Sequence, residues 1–176
     1  MDVLARLAPV SEEYASLPIG DAFNWADAGQ DLGEGEWYLV AFRSIRRADA
    51  DEEMLRLYDE EAHHEAEGAP GFVHYFKGPT APDGSCLSFC LWTSRPHART
   101  AARKPAHQRA VGLLEAMYQQ YTLEFQRVSR AAGGPLTFEN YDRPTPVPVD
   151  PLIDPLPEQP ADAVPPGLAV RPAPAF

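Results

Sequence analysis

The sequence is poor in cysteine, with two among its 176 residues, and contains no run approaching the ~18–20 apolar residues that a membrane span needs. Cys86 and Cys90 stand four apart in one strand-like run, so their Cα atoms would lie roughly 13 Å apart at ~3.3 Å per residue, too far for a disulfide. Both read as reduced core residues. Basic residues are scarce as well. Fifteen Lys and Arg against 26 Asp and Glu leave a formal charge of −11, which argues against a general nucleic-acid binder, because phosphate recognition needs a basic face. A glycine-rich phosphate loop, a nucleophile elbow, a CxxC pair and a His-Glu-x-x-His helix are all missing, and with them the signatures of several large enzyme classes. The amino terminus has no signal-peptide pattern. The expectation is a soluble, cytoplasmic protein with neither nucleic acid nor membrane as partner.

Proline is abundant, with 19 residues, most of them after Arg143. From Gly133 onward the pattern suits an extended segment that wraps the domain or a partner, so residues 131–176 are expected to form a proline-rich tail. Residues 1–36 lack sustained periodicity and read as an irregular arm whose Phe23, Trp25 and Leu32 dock on the core. Between them, residues 37–130 carry clear elements. Trp37–Ser44 is apolar on both faces, as a central strand would be. A helix over about 50–67, capped by Asp49 or Asp51, has the stripe Met54/Leu55, Tyr58, Ala62 and Ala66. Phe72–Lys77 and Cys86–Thr93 form a hairpin around Pro82-Asp83-Gly84. In the second of these strands Leu87, Phe89 and Leu91 face plain core, while Cys86, Ser88, Cys90 and Trp92 face a more mixed, cavity-like side. Ser94 and Pro96 start a helix that Pro105 breaks near Arg103–Lys104 and restarts to about Met117. Tyr121–Val128 alternates as a last strand.

The order β-α-β-β-α-β is the ferredoxin-like arrangement of the α+β class, with helices on one face of an antiparallel sheet. Its second sheet face also carries aromatics and must be covered. A sheet-to-sheet homodimer would do that.

Chemistry-bearing side chains concentrate in Leu91–Ala110, which holds Trp92, Arg95, His97 and His107. His107 stands one position off the buried helical stripe, so it can point into a sheet–helix cleft as an acid–base group, as a haem ligand, or as a structural imidazole. His63 sits at the edge of the first helix's stripe, with Asp59 one turn earlier to orient it. Arg95 could hold a carboxylate or phenolate through two parallel hydrogen bonds, or pair with a nearby acid. Trp92, Tyr75 and Tyr118 supply flat walls, with His74 and His97 as further lining candidates. No metal site is expected, because the adjacent His63 and His64 diverge by ~100° on a helix.

In the order Phe23-Asn24-Trp25, Gly35-Glu36-Trp37-Tyr38 to Phe42-Arg43-Ser44, Ala62-His63-His64-Glu65-Ala66, Trp92-Thr93-Ser94-Arg95-Pro96-His97-Ala98 and Pro105-Ala106-His107 with Ala110, the chain resembles the dimeric α+β barrel superfamily. Within it the chain is similar to antibiotic-biosynthesis-monooxygenase-like proteins and, more narrowly, to the uncharacterised UPF0643 family. The resemblance spans about residues 23–128. It implies a homodimer with a pocket between sheet and helices that acts on an aromatic or polyketide-like small molecule by proton transfer or oxygenation. His107 or His63 would be the base and Arg95 the anion stabiliser, with either no cofactor or haem. Haem binding through one of those histidines, or a non-catalytic ligand- or partner-binding dimer, are the other readings that it leaves open.

Overall fold

In a computed structural model that describes residues 3–147, the strand β1 (Gly35–Arg46) is paired antiparallel on both sides, with β3 (Ser85–Trp92) and with β4 (Tyr118–Arg130). It is the central strand that its two-sided apolarity predicts. With β2 (Phe72–Phe76) the order across the sheet is β2-β3-β1-β4, the ferredoxin-like order of the α+β class. The helix α2 (Glu52–Glu67) links β1 to β2. Its first turn is fixed by the Asp51 carboxylate, which accepts the Met54 N–H at 2.8 Å. Between β3 and β4 the chain forms α3 (Arg95–Ala101), α4 (Pro105–Val111) and α5 (Leu114–Met117). Pro96 and Pro105 each stand in the first turn of a helix, and Lys104 before Pro105 is extended, so the expected break is at the expected place.

The sheet continues beyond residue 130, where the sequence reading ended the domain. After a turn at Gly133, Leu136–Asn140 forms β5 along β4 from Gln126 to Arg130, and Thr145–Pro146 adds the short β6 beside Thr122 and Leu123. The composition of the tail hid a five-residue strand whose apolar residues, Leu136 and Phe138, pack on the core. The rest of the expected proline-rich tail, from residue 148, lies outside the described residues.

The arm before β1 is a layer of the structure. Leu4, Tyr14, Ile19, Phe23 and Trp25, the last in the one-turn helix α1 (Trp25–Ala28), cover the sheet face made by Leu39, Ala41, Leu87, Phe89, Leu91 and Val128. The Phe23 ring is packed edge-on against Tyr14, Trp25, Phe76 and Phe89 at centroid distances of 4.8–5.7 Å. Arg43 fixes the arm to the sheet: its guanidinium donates to the carbonyls of Ala15 and Leu17 and to both carboxylate oxygens of Glu124. The sheet-to-sheet homodimer was inferred because this face needed a cover, and the chain's own amino-terminal aromatics provide it.

Candidate functional site

The opposite face of the sheet is walled by Tyr38, Val40, Phe42, Ser44 and Arg46 of β1, Cys86, Ser88, Cys90 and Trp92 of β3, and Tyr121, Leu123 and Phe125 of β4. These are the alternate residues of strands whose other alternates meet the arm, so the period of two sorts each strand into a packed and a cavity side. Facing them across the gap, the helices present Leu55, Tyr58, Ala62 and Ala66 of α2, Ala98 and Ala101 of α3, and Ala110 of α4. Between sheet and helices lies a cavity of about 930 Å³. No residue of α2 is fully buried, although its stripe of Leu55, Tyr58, Ala62 and Ala66 faces the sheet. The helix stands off the sheet, and its apolar stripe lines space instead of packing.

His107, on the first turn of α4, lines this cavity. Burial pushes its pKa below the ordinary imidazole value, partly offset by the charge of Glu65, so the ring is a neutral free base near pH 7. Glu65 positions that turn: its carboxylate accepts the Ala106 N–H at 2.9 Å and the His107 N–H at 3.4 Å, capping α4 from α2. His63 also lines the cavity, its ring 4.8 Å from that of Tyr75 and 6.1 Å from that of Phe72. Asp59 does not orient His63 as the sequence suggested. Its carboxylate accepts the Tyr75 hydroxyl at 2.5 Å and pairs with the Lys77 ammonium at 2.7 Å.

Trp92, Tyr75 and Tyr118 line the cavity, and Tyr121, absent from the sequence candidates, joins them. Burial is the first cause that raises each phenol. Tyr75 is further raised by the Asp59 charge and hydrogen bond, Tyr121 is pushed well up, and Tyr118 is pushed up to about 12. The Cys90 thiol is pushed up to about 12 by burial and then by Asp59. The cavity therefore presents protonated donors, and Cys90 is not a thiolate nucleophile.

Three candidates lie elsewhere. Arg95 is not among the residues that line the cavity; it donates to Asp142 at 2.7 Å, lies over the Tyr141 ring at 5.1 Å and interacts with the hydroxyl of the cavity wall Tyr38. Its partners follow β5, in the segment that the sequence reading left as tail, so the pairing could not be anticipated. His97 is held by the Thr93 and Ser94 hydroxyls, 2.8 and 3.0 Å from its Nδ1, and its ring fills the hollow above Gly71. His74 faces the arm side, with its ring 6.0 Å from Phe89. The alternation of β2 had grouped Phe72 with His74 and Phe76, but an irregularity in pairing between Phe72 and His74 turns Phe72 to the helix side beside Trp92.

For haem, His107 offers an axial nitrogen, and of the cavity cations Arg56 pairs with Glu53 and Glu60 and Lys77 with Asp59. Among the described residues Arg99, and Arg46 with one nitrogen on Glu52 at 3.5 Å, are left to meet two propionates. No cluster of three or more His, Cys, Asp or Glu placed to hold a metal ion occurs among the described residues. No described helix is long and apolar enough to cross a membrane.

Similar solved structures include SnoaB, a cofactor-independent oxygenase from Streptomyces nogalater, at 17% identity, 55% of this chain, 94% of that one and a TM-score of 0.42. Rv0793 from Mycobacterium tuberculosis matches at 16% identity over 54% of this chain and 95% of that one, with a TM-score of 0.46. A candidate antibiotic biosynthesis monooxygenase from Chloroflexus aurantiacus matches at 15% identity over 57% and 99%, with a TM-score of 0.42. No curated protein sequence matches the chain. Residues 1–139 match the family described as PB2B2.08-like, and the chain belongs to that family.

Proposed function

We propose that the protein is a small-molecule enzyme that takes a flat, largely apolar aromatic or polyketide-like compound into the sheet–helix cavity and acts on it by proton transfer. The observation that carries this reading is the cavity itself. Its volume of about 930 Å³ lies at the upper end of the ~300–1,000 Å³ usual for ligand sites. Its walls are aromatic and alanine-rich, and a neutral imidazole stands among them. His107 is the base, taking a proton from an activated C–H or O–H of the substrate, because its desolvated ring is unprotonated at neutral pH. The resulting carbanion or enolate is either reprotonated at another carbon, an isomerisation, or reacts with O₂ as co-substrate, an oxygenation. His63 is the second acid–base group. Arg95 is assigned no part in this, since its guanidinium pairs with Asp142 and it does not line the cavity.

The motifs quoted above support the narrower likeness to UPF0643, and we keep the cytoplasm as the expected compartment. Any homodimer of this chain joins through a surface other than the sheet face, because residues 4–28 hold that face. The test is exchange of acidic C–H protons of hydroxynaphthoquinone and anthrone-type compounds in D₂O, followed by NMR. Catalysed exchange is expected in the wild type and its loss in His107→Ala, with folding retained. Full exchange in both His107→Ala and His63→Ala would refute the assignment. A Soret band that forms on haem titration and shifts in His107→Ala would favour the haem reading instead.

A further inference from the structure

The two ends of the cavity differ, and the sheet register shows it. At one end Tyr38 lies opposite Trp92, and Val40 lies opposite Phe125 and Cys90, with Ala98 and Ala101 of α3 above them. At the other end Ser44 lies opposite Tyr121 on one side and Cys86 on the other, and Arg46 lies opposite Tyr118. Arg46 stands eight residues after Tyr38 along β1, roughly 26 Å at ~3.3 Å per residue. The first end is mainly hydrocarbon and aromatic surface, with Arg99 of α3 and the Tyr38 side chain as its polar groups. The second gathers hydrogen-bond donors.

Those donors are only partly engaged, and the side chains of all three residues line the cavity. The Nε of Arg46 is buried and has no hydrogen-bond partner among the described residues, although one terminal nitrogen reaches outward to Glu52, an exposed residue, at 3.5 Å. A buried cationic N–H without an acceptor is costly, and native structures rarely leave one so. The phenol rings of Tyr118 and Tyr121 stand edge to face at 5.1 Å beside it, and neither hydroxyl has a hydrogen-bond partner among the described residues. Tyr121 is enclosed by protein yet keeps accessible surface, and it lines the cavity. That surface therefore faces the cavity. Asp59, half-buried in the same cavity, is already paired with Lys77 and engaged by the Tyr75 hydroxyl.

We propose that the cavity binds an amphipathic ligand lengthwise, with an oxyanion head, carboxylate or phenolate, received by Arg46, Tyr118 and Tyr121 and an apolar body lying toward Trp92. This rests on the reading of the cavity as a small-molecule site and adds the polarity of its occupant. One guanidinium and two phenols converging on one oxyanion form a charge-assisted donor set at a desolvated site. For a substrate that becomes an enolate or phenolate, the same set stabilises the charge that proton removal creates.

The test compares two fluorescent probes with the same aromatic body, 1-anilinonaphthalene-8-sulfonate, which has an anionic head, and N-phenyl-1-naphthylamine, which has none. The sulfonate is expected to bind the wild type more tightly than the amine. Arg46→Gln weakens the sulfonate roughly tenfold or more, and Tyr118→Phe and Tyr121→Phe weaken it about three- to tenfold each. The amine binds all four proteins alike. Tyr121→Phe removes one hydroxyl without a partner, so it keeps the experiment decisive if Arg46→Gln fails to fold. Displacement by 2-naphthoate or by 2-naphthol then distinguishes a carboxylate from a phenolic head. If the amine binds and the sulfonate gains nothing, or its gain survives Tyr118→Phe and Tyr121→Phe, the head site is overturned while the cavity stands. If neither probe binds the wild type, the cavity reading itself fails.

Discussion

Removing the Phe23 ring should destabilise the whole domain, although Phe23 precedes every main strand and helix. The ring is 3% exposed and meets four other aromatic rings, two from the arm and two from the sheet. Phe→Ala at such a site costs about 3–5 kcal/mol in lost transfer energy and cavity formation. Against a total of ~5–15 kcal/mol for a domain, that is a large fraction. At ~2–4 °C per kcal/mol for a chain of this size, the melting midpoint should fall by roughly 6–20 °C. Urea unfolding followed by circular dichroism measures the difference directly, with Val10→Ala as control, since Val10 is 53% exposed on the same arm. The control should change stability by less than ~0.5 kcal/mol. A Phe23→Ala loss below ~1 kcal/mol would refute the arm as a structural layer and reopen the sheet face to a second copy of the chain.

Three further outcomes follow from the packing and charges around the cavity. Arg95→Ala should leave turnover unchanged and shift the thermal midpoint little, because Asp142 lies at the surface and both side chains are partly exposed; loss of activity in a folded variant would return Arg95 to the site. The His107 pKa is depressed in the folded state, so between that value and ~6.5 only the unfolded chain carries the extra proton. Stability should thus rise with pH across that window and flatten above it, and His107→Gln should remove that slope in pH-dependent urea melts. Gly71→Ala should cost ~1–3 kcal/mol by thermal melt, since Gly71 has φ +78° and an added Cβ would collide with the His97 ring and the Thr93 hydroxyl; an unchanged melt would contradict the packing given for His97.

The strands and helices of the core were legible because their patterns are local. The alternation of Leu87, Phe89 and Leu91 against Cys86, Ser88, Cys90 and Trp92 separates the packed side from the cavity side. Pro105 marks the restart of the broken helix. What the sequence hid depends on distance along the chain. Arg43 joins the arm to Glu124, 81 residues away, and nothing near Arg43 announces either partner. The strand β5 was masked by the prolines that follow it, and with it went the acid that captures Arg95. Asp59 was noticed one turn from His63, but its partners Tyr75 and Lys77 come from the next strand and the residue after it. Tyr118 was a candidate wall from the sequence, but Arg46 and Tyr121 are ordinary residues until the register of β1 with β4 sets all three at one end of the cavity.

The most direct measurement is binding of N-phenyl-1-naphthylamine to the wild type and to Ala62→Phe, whose larger side chain would project from α2 into the open space of the cavity. Saturable binding with a fluorescence rise is expected in the wild type, with loss of at least tenfold in affinity in a folded Ala62→Phe. Equal binding by both proteins would mean that the ligand sits elsewhere and that the space between sheet and helices is not the binding site.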